Sequence, residues 1–91
     1  MNEPHPISAA RALAREVNRQ IERVAMRFES REGDFLCECG RVECSERVRL
    51  DLAAYDTVRA SGRFVAVPGH ELAADHVVER HERYVVAEAV A

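Results

Sequence analysis

The chain has no lysine: all thirteen of its basic side chains are arginine. Against sixteen acidic residues they leave a formal charge of −3, which argues against the basic footprint of a general nucleic-acid binder. The arginine bias, with abundant alanine and valine, reflects a GC-rich coding sequence rather than guanidinium-specific chemistry. Tryptophan is missing as well, and three phenylalanines and two tyrosines are the only large aromatics. So short a chain buries only ~60–65% of its unfolded surface, which leaves a thin core and makes a staple useful. There is no run of ~18 apolar residues and no apolar signal segment near the N-terminus, so neither a membrane span nor secretion is expected. These absences predict one cytoplasmic domain. In that reducing compartment clustered cysteines are more often metal ligands than disulfides, and three cysteines cannot all pair within the chain.

The three cysteines are Cys37, Cys39 and Cys44, in the spacing C-x-C-x4-C. In an extended segment residues two apart point to the same side, so Cys37 and Cys39 present both sulfurs to one point. Gly40 permits the backbone to reverse, and Cys44 then closes a third corner. Zinc held by thiolates takes a tetrahedron of soft ligands, and a structural site uses four. The fourth must come from elsewhere, and four histidines are available. His70 is the first choice, because Val67-Pro68-Gly69 aims the chain immediately before it; His76 and His81 are the alternatives, and His5 lies in an N-terminal tail. Three reduced thiols without a metal are the plain alternative, and a dithiol redox site is the main rival. The nearby Glu38, Glu43 and Glu46 are expected to face solvent. No Ser/His/Asp set, phosphate-binding glycine loop or paired-carboxylate arrangement is present, so catalysis is not expected.

Residues 1–6 read as a tail and residues 7–32 as one long amphipathic helix capped at Ser8. Ile7, Ala10, Ala14, Val17, Ile21, Val24 and Phe28 recur at steps of three and four. That stripe predicts packing on the domain's own sheet, with part of it free to pair with another chain. Arg11, Arg15, Arg19, Arg23, Arg27 and Arg31 recur at every fourth position and predict a solvated face, or a docking strip for an acidic protein surface or phosphates. Arg15, Arg19, Ile21, Arg23, Val24 and Phe28 are accordingly the expected partner-binding residues, for a protein partner or a weak homodimer. A nucleic-acid role for this helix ranks below both, given the net acidity and the lack of interleaved aromatics.

Residues 33–91 read as the metal-stapled part. Val48, Leu50 and Leu52 alternate with charged residues over Glu46 to Leu52, the pattern of a strand. Leu52, Tyr55 and Val58 then predict a short helix, from an Asp51 cap to Ser61-Gly62. Arg63 to Val67 is a second strand. His76 to Arg80 and Tyr84 to Ala89 predict a hairpin. The expected fold class is α+β: a long N-terminal helix and a small, mostly antiparallel sheet carrying a zinc-binding loop.

Cys37-x-Cys39-Gly40-x3-Cys44 resembles the post-SET loop of lysine methyltransferases, where such a triplet binds zinc with a fourth cysteine from the main domain. The likeness is confined to this loop and does not imply methyl transfer. Over a longer stretch, Phe35 to Ala89 resembles small proteins of GC-rich actinobacteria. These share Phe-x-Cys-Glu-Cys-Gly…Cys, Leu-x-Leu…Tyr…Val-Arg and Phe-x-x-Val-Pro-Gly-His-Glu, here Phe35 to Cys44, Leu50 to Arg59 and Phe64 to Glu71. The resemblance implies that His70 stands beside the cysteines, and it brings no activity with it. The functional expectation is a zinc-stabilised protein-interaction domain without catalysis. The alternative is a thiol-redox or zinc-linked redox sensor using Cys37, Cys39 and Cys44.

Overall fold

Alternation of Val48 and Leu50 with Arg47, Arg49 and Asp51 gives a strand with one buried face, and it pairs with a segment whose first residues the sequence pattern assigned to a helix end. The computed structural model describes residues 6–89. Its order is α1 (Pro6–Arg27), β1 (Glu32–Leu36), β2 (Arg47–Asp51), α2 (Leu52–Ala60), β3 (Phe64–Ala66), β4 (His76–Arg80) and β5 (Val85–Glu88). The fold is α+β, as expected, but its strands form two small antiparallel sheets rather than one. The first is β1–β2, with Phe35 opposite Val48 and Gly33 opposite Leu50. The second has the order β3–β5–β4, so β5 is the central strand. The expected terminal hairpin is β4–β5, with a register irregularity between Val77 and Glu79.

Two boundaries of α1 differ from expectation. The helix begins at Pro6, so Ser8 lies inside it; the rest of the expected tail, including His5, lies outside the described residues. It also ends at Arg27 and not near residue 32. Glu29 takes a left-handed backbone (φ 53°), its N–H donates to Met26 O at 3.1 Å, and Ser30 N–H donates to Ala25 O at 2.9 Å. That bond pair is a Schellman stop, which usually carries glycine at the left-handed position. Glutamate there hid the stop in the sequence, and it releases Glu32–Leu36, Gly33 and Asp34 included, to form β1.

The face that α1 buries is also turned from the predicted stripe. Asn18 and Glu22 are buried and Arg11 is largely covered, whereas Val17, Val24 and Phe28 are exposed together with Leu13. Ile21 packs against the core, so it is not free for a partner. The core is built from Phe35, Val48, Leu50, Tyr55, Val58, β3 and the Val85–Ala87 segment of β5. Phe35 stacks on Tyr55 with ring centroids 4.2 Å apart and planes 14° from parallel. Such a stack contributes about 0.5–1.5 kcal/mol beyond burial. It ties α2 to β1 directly beneath the cysteine loop. α2 starts where Leu52 N–H donates to Arg31 O at 2.9 Å; Asp51 occupies the cap position without a side-chain bond. Among the described residues no helix is long and apolar enough to cross a membrane.

Candidate metal centre

The loop between β1 and β2 starts as a continuation of the first sheet and ends as a junction with the second. Cys37 N–H donates to Glu46 O at 2.9 Å, which adds a rung to the β1–β2 ladder. One residue later Glu38 N–H donates to Val65 O at 2.8 Å, which carries the chain across to β3. Gly40 then turns the loop with φ +89°, and a Cβ there would lie 2.5 Å from Ile7 Cγ2. Glycine is needed twice over, for the left-handed backbone and for the close approach of α1. The reversal that follows, closed by Cys44 N–H to Arg41 O at 3.1 Å, brings Cys44 back toward Cys37.

His70 arrives from the other sheet. Val67-Pro68-Gly69-His70 forms a tight turn closed by His70 N–H to Val67 O at 2.9 Å, with Gly69 at φ +89°. Proline before a positive-φ glycine is the type II pattern, and it delivers the imidazole at the end of β3. One ligand atom from each of Cys37, Cys39, Cys44 and His70 lies within 4.8 Å of all the others. His70 Nδ1 stands 3.6 Å from Cys44 Sγ and 3.8 Å from Cys37 Sγ. Metal–ligand bonds of ~2.1–2.3 Å at tetrahedral angles separate neighbouring donors by about 3.5–3.8 Å, which the two distances from His70 Nδ1 match. All four expected ligands are thus brought together and could hold a metal ion. His76 and His81 are exposed, and His81 pairs with Glu79 at 2.9 Å.

The surroundings of the cluster disfavour a free thiolate at Cys37. Burial pushes the Cys37 thiol up to about 12, and the neighbouring sulfurs of Cys39 and Cys44 add to the rise. Val67 N–H, which donates to Cys37 Sγ at 3.3 Å, pulls the other way. A bound divalent ion reverses this balance by stabilising the thiolates directly. Cys39 is fully buried and Cys37 nearly so, while Cys44 is half-buried. Cys37 and Cys44 also form part of an open groove of about 470 Å³ between α1 and the loop.

Glu38 corrects the expectation most sharply. It is 1% exposed and points away from solvent. Its Oε2 accepts from Tyr55 Oη at 2.7 Å and from Asn18 Nδ2 at 2.9 Å, and its Oε1 accepts from Val65 N–H at 3.0 Å. Burial raises the Glu38 carboxyl above the usual carboxylate range, against the pull of those three donors. Asn18 does more: its amide accepts from Leu36 N–H at 2.7 Å and donates to Leu36 O at 3.0 Å. A single side chain thereby occupies both hydrogen-bonding groups of Leu36, at the end of β1. Arg11 was expected on a solvated face and is not. Its guanidinium donates to Glu38 O and Cys39 O, both at 2.9 Å, pairs with Asp75 at 3.3 Å and lies 3.8 Å over the Phe64 ring. Asn18 and Arg11 sit among apolar or arginine repeats that masked them. The one legible signal was that Glu38 shares strand parity with Leu36.

The remaining partner-binding candidates divide. Arg19, Arg23, Val24 and Phe28 are exposed; Arg15 is half-buried, and its charge acts on Glu38. Glu16 pairs with Arg19 at 3.6 Å, while Glu22 turns inward to Arg59 at 3.5 Å. No protein-family model, curated protein or solved structure shows significant similarity to this chain.

Proposed function

We propose that the chain is a small zinc-stabilised protein-interaction domain without catalytic activity, in which the Cys37, Cys39 and Cys44 thiolates and His70 Nδ1 hold one zinc ion. The observation that carries this reading is the mutual approach of those four donor atoms within 4.8 Å. Three sulfurs and an imidazole are soft donors that favour zinc over the oxygen-seeking calcium and magnesium. Four protein ligands fill the tetrahedron and leave no position for a substrate, the usual mark of a structural site. Arg11, Asn18 and Glu38 pin the loop from outside the ligand set, as supporting side chains do around metal sites. A reducing cytoplasm is the compartment that keeps three thiols available. The actinobacterial likeness noted above fits the same ligand set.

Elemental analysis of protein purified without added metal tests this, with one zinc ion per chain as the expected result. Fresh protein without metal and with three freely titrating thiols would defeat it. A zinc-linked redox role is the second reading, and Cys44 favours it by lining the open groove while remaining partly exposed. Zinc release by peroxide that a thiol reductant fully reverses would support that role.

A further inference from the structure

Apart from Met26, which lies on another side of the helix, four large apolar residues stand exposed along α1 and its C-terminal cap: Leu13 (68%), Val17 (36%), Val24 (52%) and Phe28 (79%). At about 100° per residue they fall in a strip ~60° wide, beside the seam that α1 turns to the core. Their spacings are four, seven and four residues, the same read in either direction. We propose that this strip is a self-association surface that takes α1 of a second copy of the chain in antiparallel orientation. About a two-fold axis passing between Gln20 and Ile21, Leu13 faces Phe28 of the copy and Val17 faces its Val24. An isologous contact of this kind requires a self-complementary patch, which the palindromic spacing provides.

Shape and charge agree with that occupant. Leu13 borders the groove of about 470 Å³, whose α1 wall includes Ala9, Ala10 and Ala14. Those small side chains leave room for the incoming Phe28 ring. Glu16, Arg23 and Arg27 all lie along the same edge of the strip. In the two-fold arrangement Glu16 stands level with residue 25 of the copy, ~3 Å along the axis from both Arg23 and Arg27. Neither arginine has an ion-pair partner among the described residues, and the Glu16 contact to Arg19 is an exposed one at 3.6 Å. The strip covers ~22 Å of helix. It offers less than the ~800 Å² per partner of a standard stable interface. The dimer is therefore weak, with a dissociation constant of about 10–100 μM. This inference names the partner within the interaction reading above and does not depend on the metal.

Sedimentation equilibrium of the full chain from roughly 1 μM to 1 mM tests it, with zinc content measured on the same samples so that the two readings fail separately. The expected result is a reversible dimer that Val24→Asp weakens at least ~30-fold. Glu16→Arg and Arg27→Glu each weaken it ~3- to 10-fold, and their combination restores it. Unchanged thermal melting of these surface variants shows that they remain folded. A chain still monomeric at the highest concentration overturns the proposal and leaves the strip to a different protein. A dimer indifferent to Val24→Asp overturns it as well.

Discussion

Glu38 and Val65 bind each other twice: Glu38 N–H donates to Val65 O at 2.8 Å, and Val65 N–H donates to the Glu38 carboxylate at 3.0 Å. The residue between Cys37 and Cys39 is therefore also the bridge between the two sheets. Backbone and side chain act in one place, so the position of the sulfurs is coupled to the packing of β3. His70 follows β3 after a single turn. The three loop cysteines and His70 are thus held relative to one another by the protein's own contacts.

Replacing Glu38 tests that coupling. Glu38→Ala removes the acceptor for Tyr55, Asn18 and Val65 together, and each buried donor left unpaired costs about 1–3 kcal/mol. The variant should lose ~3–5 kcal/mol or fail to fold. Glu38→Gln keeps the volume but turns an amide NH₂ toward a donor, for a smaller loss of about 1–3 kcal/mol. Denaturant titration ranks the two. Equal and negligible losses would show that the network contributes nothing to stability.

Arg11 provides a sharper chemical contrast. Its fork binds two successive loop carbonyls and Asp75 while its plane covers Phe64. Lysine keeps the charge but cannot reproduce a planar, multi-donor fork. Arg11→Lys should cost ~1–3 kcal/mol by thermal unfolding, close to the loss for Arg11→Ala. Full retention of stability in Arg11→Lys would mean that charge alone suffices.

The two glycines beside the ligands should respond differently. Both have φ +89°, but a Cβ on Gly40 meets Ile7 Cγ2 at 2.5 Å, whereas a Cβ on Gly69 meets nothing within 4 Å. Gly69→Ala bears only the backbone penalty, about 1 kcal/mol. Gly40→Ala adds displacement of α1 and should lose ~2–4 kcal/mol. Melting curves of the pair, recorded at saturating zinc, separate strain from crowding. Equal losses would show that α1 yields without cost.

Among the histidines only His70 should matter for the metal. Supporting residues around metal sites typically account for ~10–100-fold in affinity, so loss of a ligand in His70→Ala should exceed that. His76→Ala and His81→Ala should bind zinc as the parent does, since both side chains are exposed and His81 is occupied with Glu79 and Tyr84. Competition with a chromophoric chelator measures all three. An unchanged affinity in His70→Ala would remove His70 from the ligand set.

Read alone, the sequence pointed to the Cys37, Cys39, Cys44 and His70 grouping, with His76 and His81 as alternatives to His70, and to most of the strands and both helices. Each of these depends on neighbours only a few residues apart: C-x-C on an extended segment, Pro-Gly before His70, and alternation at Val48 and Leu50. Only the tertiary structure decided which way α1 faces, where it stops and what becomes of Glu38. Arg11 reaches carbonyls 27 and 28 residues away, and Asn18 meets Glu38 across 20. At such separations periodicity carries no information about which side of a helix meets which strand. The apolar stripe of α1 was real in composition, but burial went to the seam where Asn18, Glu22 and Arg11 find polar partners. Polar groups inside a small core must be paired, and the pairing set the rotation of the helix, leaving Leu13, Val17, Val24 and Phe28 in solvent.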